Sequence, residues 1–300
     1  MRLGLCCKFL EQPIKFSTTT ATSILRMRRK DALAKLSGLC FENACALEKA
    51  IQYCAGHGIG SFRINSQILP VKTHPRAGYD IKDLPLAEEI VLKFKECGQW
   101  AKKNNVRLTF HPDQFIVLSS KNNDVVDRSI VDLEYHALVS EWVGADVINI
   151  HGGGAYGDKR SALKRVMKNV KKLSQKVRCR LTFENDEKVY SPVDLIPLCQ
   201  ATGAGFVYDV HHHRCRPDGC SVEEITKKAV KTWNREPLFH ISSPIHGWRK
   251  KNTAYHHDYI NIKDFPKCWL GLDVTVDIEA KAKELAIFRL QKDLKRIEKK

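Results

Sequence analysis

Histidines and carboxylates recur in this chain at the ends of apolar, β-branched runs. His111 closes RLTFHP, His151 closes VINIHGG and Glu184 closes RLTFEN; Asp209 and His212 fall in FVYDVHH, His240 in LFHIS and Glu279 in TVDIEA. His74 follows in the loop after RINSQILPVKTH. Imidazole nitrogens beside carboxylate oxygens suit Zn²⁺, Mn²⁺ or Fe²⁺, and the lack of cysteine among them argues against a structural zinc site. A carboxylate at a strand end between two others, such as Glu184, can bridge two ions, an arrangement used for phosphodiester cleavage. One such histidine alone would read as a packing residue. Seven segments ending this way together point to a polynuclear metal site. His57, in the turn GHGIG, and His136, inside a helical pattern, read as structural residues. His211, His213 and His257 adjoin candidate ligands and are expected either to support them or to trade places with them. Cys215 and Cys220 lie beside the histidine run without the spacing of a four-ligand zinc site.

The elements that would carry these residues alternate. Strands are expected near 2–7, 61–65, 107–111, 147–151, 180–184, 205–209, 237–242 and 274–279. Helical periodicity falls near 42–56, 86–104, 124–143, 159–176, 193–202, 221–233 and 280–298. Alternation of this kind argues for parallel βαβ units. Eight strands without an obvious linker favour one α/β domain over residues 1–300, a (β/α)₈ TIM barrel, with an open doubly wound sheet as the alternative. Parallel strands linked by helices bring all their C-terminal ends to one face, where such barrels carry their chemistry. The connection 8–41 is long enough for an extra short helix and a basic loop. The stretch 243–268 reads as a long loop carrying Arg249, Lys250 and Lys251.

Lys and Arg total 50 against 34 Asp and Glu, a net charge of +16 that favours a polyanionic partner. Ten basic residues and no acidic one lie between Lys159 and Arg180. Part of that run is a solvated helix face, and part is available to phosphate. In HGGGAYGDKR, glycines would let backbone approach a phosphate and Lys159 or Arg160 would pair with it. Gln114 and Phe115 make a polar and aromatic tip on the loop after His111, placed either to pack or to wedge between bases. The 11 cysteines are unpaired in spacing, as expected of free thiols in a reducing compartment. MRLGLCCKFLEQP is too short in apolar length for a signal peptide, and no run approaches the roughly 18–20 apolar residues of a membrane span. A cytoplasmic, DNA-associated location is expected, nuclear if the source is eukaryotic.

RLTFHPDQF, DVVDRSIVDLEYHA, INIHGGGAYGDK, RLTFENDE, VYDVHHH, FHISSP, HHDYI and IEAKAKE, in this order, resemble the UV damage endonuclease family. The resemblance covers most of the chain. It implies a barrel similar to that of apurinic endonucleases and two or three divalent ions, manganese first and zinc as the alternative. It also implies hydrolysis of the phosphodiester 5′ to a lesion in double-stranded DNA, leaving a 3′-hydroxyl. By motif match the ligands would be His74, His111, His151, Glu184, Asp209, His212, His240, His256 and Glu279, with His257 competing with His256. Glu184 and Glu279 would also orient the nucleophilic water. Gln114 and Phe115 match the pair that probes the damaged site. The chain departs from the family pattern in four places. Leu238 stands where a lysine often lies, Leu5 and Phe9 replace a Tyr and an Asn of the first-strand loop, and Asp113 replaces a Gly.

The sequence therefore points to a metal-dependent DNA repair endonuclease acting on UV photoproducts, abasic sites or both, with no obligate protein partner and no membrane. Two other classes share parts of the pattern: a metal-dependent sugar isomerase or epimerase, and a nucleic-acid-binding relative impaired in catalysis. The positive charge argues against the first, and the full ligand set against the second.

Overall fold

The computed structural model describes residues 1–298; residues 299 and 300 lie outside it. Eight strands alternate with helices. In chain order they are β1 (Arg2–Cys6), α1 (Ala21–Leu25), α2 (Arg29–Gly56), β2 (Ser61–Ile64), α3 (Ala87–Lys103), β3 (Arg107–Phe110), α4 (Asn123–Val143) and β4 (Val147–His151). There follow α5 (Lys159–Val170), α6 (Gln175–Arg178), β5 (Leu181–Glu184), α7 (Pro192–Thr202), β6 (Gly205–Asp209), α8 (Val210–Cys215), α9 (Val222–Val230), β7 (Leu238–Ile241), β8 (Thr275–Ile278) and α10 (Lys283–Glu298). Each strand pairs in parallel with the next, and β8 returns to β1 through Leu5 and Ile278, so the sheet closes into a TIM barrel.

Alternation along each strand divides the core. Outward residues such as Leu5, Phe62, Phe110, Phe183, Phe206, Phe239 and Ile278 pack under the helices, and all are 0–1 % exposed. Full burial of one such side chain contributes about 1.5–3 kcal/mol. The inward positions are mostly polar: Ser61, Arg63, Thr109, Asn149, Thr182, Asp209, His240 and Asp277 are all buried. Inside the barrel, Val147, Val207 and Leu238 form a small separate apolar cluster. The N-terminal mouth is closed by ion pairs Arg2–Glu236 at 2.8 Å and Arg107–Asp146 at 2.9 Å. The polar inward layer at the other mouth is left to build the site.

The helices differ from the sequence reading in three places. The long helix expected near 42–56 begins at Arg29, because Ala32, Leu36, Cys40, Ala44 and Leu47 continue one buried stripe. The basic residues Arg28 to Lys30 thus start a helix instead of forming a loop, while the expected short helix is Ala21–Leu25. The helix expected over 159–176 breaks after Val170, where Ser174 caps a new turn by accepting from the N–H of Val177. Finally, residues 210–215 are helical. Asp209 caps that helix by accepting from the N–H of His212, at 2.7 Å.

Candidate metal centre

Glu184 is the hub of the C-terminal mouth. It ends β5, is 1 % exposed, and faces ligand-type groups with both oxygens. Oε2 lies 3.0 Å from His111 Nε2 and accepts from Asn149 Nδ2. Oε1 lies 3.0 Å from His240 Nδ1 and 3.7 Å from His212 Nδ1. Asn149 is itself fixed by Thr182, whose hydroxyl donates to its Oδ1 at 3.0 Å. Strand register produces this layer: β4 and β5 pair His151 with Glu184, and β6 and β7 pair Asp209 with His240.

Three sets of donors come within 4.8 Å of one another: His111 with Glu184 and His240, Glu184 with Asp209 and His212, and Asp209 with His240 and Glu279. The sets share members, as adjoining cation sites do. Several of the atoms lack a protein partner. Asp209 Oδ2 and His151 Nδ1 are buried without a hydrogen bond, and such orphan groups are costly unless something else satisfies them. His111 adds a sharper clue. Its Nδ1 donates to the Pro112 carbonyl at 3.1 Å, so a neutral ring turns the lone pair of Nε2 towards Glu184 Oε2. Two acceptors 3.0 Å apart call for a cation or a proton between them. His212 is held in the same way, donating from Nδ1 to the Asn185 carbonyl at 3.1 Å, with Nε2 3.8 Å from Glu187 Oε2. The donor set therefore fits divalent ions bound by imidazole and carboxylate.

Charge balance points the same way. Burial pushes the Glu184 carboxyl up, but His240, His151 and hydrogen bonds from His111 and His240 outweigh it and hold it well below the usual range. Glu279 is likewise held low against burial, by Arg63, His240 and His256. His212 is depressed by burial, yet Asp209, Glu184, Glu279 and Glu187 together push it up to about 9. His212 and the carboxylates Glu184 and Glu279 thus favour one another's charged forms.

Beneath the ligand layer lie residues that were not singled out from the sequence. Arg63 is buried and bonds three groups: Asp277 at 3.0 Å from Nε, Glu279 at 2.7 Å from Nη1 and His240 Nε2 at 2.9 Å from Nη2. Because a guanidinium only donates, His240 Nε2 accepts here and Nδ1 carries the hydrogen. For Nδ1 to hold a cation that hydrogen must move to Nε2 and displace the Arg63 N–H that Nε2 now accepts; Asp277 Oδ2, 3.8 Å from Nε2, lies beyond hydrogen-bond reach. Asn185 clamps β5 to β6, donating to the Asp209 carbonyl and accepting from its N–H at 2.8 and 3.0 Å. Period-two alternation places Asn149 and Asp277 two residues before His151 and Glu279, on the same face.

Other predicted residues are placed as follows. His256 Nδ1 is 3.9 Å from Glu279 Oε2, whereas His257 turns away and accepts from the Tyr259 N–H at 2.9 Å. His74 lies outside the three donor sets. Its Nδ1 accepts from the N–H groups of Arg76 and Ala77, and it lines a neighbouring cavity with Asp113, Asp132 and Phe115. His213 is taken up by Tyr208 and Asp218, and His211 is buried against Trp248 and His256. His57 stacks on Tyr53, and His136 donates to the Asp132 carbonyl, both structural. All 11 cysteines are free.

On the rim, Phe115 is 79 % exposed and Gln114 is exposed beside it. Arg160, Arg249, Lys250 and Lys251 are exposed, while Lys159 pairs with Asp194 at 2.7 Å. The glycines after His151 answer to packing. A Cβ on Gly152 would sit 2.7 Å from the Tyr190 ring, and one on Gly153, at φ +80°, 2.4 Å from Ser119 Oγ. Leu5 is fully buried under the helices, and Phe9 is half-buried, packed on Tyr53 and Phe62. Among the described residues no helix is long and apolar enough to cross a membrane.

Residues 1–300 match the family model described as UV-endonuclease UvdE. The chain belongs to the UV-endonuclease family. It is 35% identical over 291 residues to the UV DNA damage endonuclease of Bacillus velezensis, covering 92% of this chain and 87% of that protein. The crystal structure of SacUVDE is similar over 100% of both chains, with a TM-score of 0.87 and 27% identity. Endonuclease IV from Thermus thermophilus shares the fold alone, with a TM-score of 0.62 and 15% identity over 83% of this chain and 94% of that one. Membership of the UV-endonuclease family supports a DNA repair endonuclease. The interior of this barrel holds Leu238 in its apolar cluster and the Arg63–Asp277 pair.

Proposed function

We propose that this UV-endonuclease hydrolyses the backbone of damaged double-stranded DNA on the 5′ side of the lesion, leaving a 3′-hydroxyl. The observation that carries the reading is the set of overlapping donor groups centred on Glu184 in a chain of this family. His111, His151, Glu184, Asp209, His212, His240, His256 and Glu279 would hold two or three divalent ions, with His74 joining from its loop and manganese the first choice. Such ions supply a nucleophilic water of lowered pKa and charge neutralisation for the leaving oxygen. The protein's own part is to fix that layer. Asn149 holds one oxygen of Glu184, Asn185 holds the Asp209 backbone, and Arg63 with Asp277 braces His240 and Glu279 from below.

Substrate would approach across the basic rim. Arg160 and residues 249–251 are exposed and suited to backbone phosphate; Lys159 would join them by exchanging Asp194 for phosphate. Phe115 projects far enough to enter a disturbed base stack, which costs least where a base is missing or poorly stacked. The test is a duplex with one cyclobutane dimer or one abasic site, labelled at the 5′ end of the lesion strand. The expected result is a single nick 5′ to the lesion with Mn²⁺, none with EDTA, and extension of the product by a polymerase. A nick on the 3′ side, or one insensitive to EDTA, overturns the reading.

A further inference from the structure

Next to Glu279 a second feature opens on the same face, and none of the assignments above uses it. It is a cavity of about 340 Å³ between the segment after β1 and the segment after β8. Cys7 and Lys8 line one wall; Ala280, Lys281 and Lys283 line the other; Arg63, His256 and Glu279 border it on the side of the metal centre. The two walls are neighbours because β1 pairs with β8, Leu5 against Ile278. They are also tied together further out. The buried carboxylate of Glu284 accepts from the N–H groups of Leu10 and Glu11, both at 2.8 Å, and so pins the 8–11 segment to the start of α10.

Three observations say that this cavity takes an anion. Lys8, Lys281 and Lys283 form no ion pair among the described residues and share one small space. The carboxylate on its border, Glu279, is already answered by Arg63 at 2.7 Å. Finally, the backbone is strained here. Six non-glycine residues of the described chain have positive φ, and two of them, Cys7 at +60° and Lys283 at +50°, line this cavity. A left-handed non-glycine residue costs about 1–2 kcal/mol, and such strain gathers at functional sites.

We propose that this cavity is a subsite for one backbone phosphate of the DNA, adjoining the phosphodiester that is cut and held by Lys8, Lys281 and Lys283. The proposal rests on the DNA reading above. It makes the segment after β1, whose Phe9 packs on Tyr53 and Phe62, contribute a phosphate clamp to the substrate surface. It also gives the lysines after Glu279 a task distinct from metal binding.

The test uses the full chain with Ca²⁺ in place of Mn²⁺ and a fluorescent duplex carrying one abasic site. Lys8, Lys281 and Lys283 are changed to Met singly and together, which keeps the apolar stems. The triple variant should bind about tenfold or more weakly near physiological salt, and its slope of log affinity against log salt should fall by about one. A scan of neutral methylphosphonate linkages supplies the position. One linkage beside the nick should weaken the wild type and leave the triple variant unchanged, since the two changes remove the same contact. Lys283→Gly separates binding from folding: glycine relieves the positive φ, so this variant should be at least as stable as the wild type and still bind more weakly. An unchanged salt slope, fully additive effects at every linkage, or wild-type binding by Lys283→Gly overturns the subsite. Displacement of the duplex by inorganic phosphate at matched ionic strength would make it a free-phosphate site and overturns it too. If the wild type neither binds nor nicks lesion DNA, the functional reading falls and the subsite with it; if it nicks while the lysine variants match it, the subsite alone falls.

Discussion

Asp277→Asn is the change whose consequence the structure specifies most closely. Asp277 is fully buried, accepts from Arg63 Nε at 3.0 Å, and has no other charged partner at that distance. Breaking a buried pair by removing one member costs about 3–5 kcal/mol. Arg63 retains Glu279, so the low end applies, about 3 kcal/mol. For a chain of this size that is a fall in Tm of roughly 6 °C, at about 2 °C per kcal/mol. The second consequence is at the metal centre. Arg63, which bonds both His240 and Glu279, loses the charge that fixes its Nε, so both candidate ligands are held less firmly. Loss of such an outer partner typically costs about 10–100-fold in metal affinity. Gly4→Ala tests the same device by shape alone. A Cβ there would lie 2.0 Å from Asp277 Oδ1 and 3.2 Å from Ser61 Cβ, so the carboxylate must leave its place. Thermal unfolding by circular dichroism and metal titration of the apo protein read both effects. Wild-type Tm and metal affinity in both variants would refute the bracing role of Asp277.

Glu184→Ala and Glu279→Ala should abolish nicking and lower bound metal while the fold survives by circular dichroism, and His57→Ala should nick normally; a folded, fully active Glu184→Ala contradicts the assignment. Metal affinity should rise with pH. His212, pushed up to about 9 in the metal-free cavity, is protonated at neutral pH, and a metal must displace that proton. The gain should be up to about tenfold per pH unit between about pH 7 and 9 and flatten above, as read by calorimetry in two buffers of different ionisation enthalpy; a flat profile contradicts it. Phe115→Ala should weaken binding to lesion duplexes by about 1–3 kcal/mol, the worth of one stacked aromatic. With Leu5 buried and Phe9 packed on Tyr53 and Phe62, abasic sites should be cut at least as well as cyclobutane dimers, and a strong dimer preference untouched by Phe115→Ala would show that recognition lies elsewhere.

The barrel was legible in the sequence because period-two runs end in ligand-type residues and alternate with helical stretches. The strand ends His111, His151, Glu184, Asp209, His240 and Glu279 needed no register to be found. The buried arginine beneath them did. Arg63 reads as an ordinary basic residue in SFRI until β2 is closed against the rest of the barrel, where it meets Asp277 and His240. The six-residue helix after β6 is too short to show a period, yet its cap by Asp209 places His212 beside Glu184. Leu5 and Phe9 could be read as altered substrate contacts from the sequence. Only the packing shows that they face Tyr53, Phe62 and the helices.

The central claim is a cluster of divalent ions organised by Glu184. Anomalous diffraction at the manganese edge, from crystals of the protein loaded with Mn²⁺, tests it most directly. The account predicts two or three peaks at ligand distance, about 2 Å, from Glu184, His111, His240, Asp209, His212 or Glu279. A map with no peak touching Glu184, from crystals shown by fluorescence to contain manganese, would contradict it.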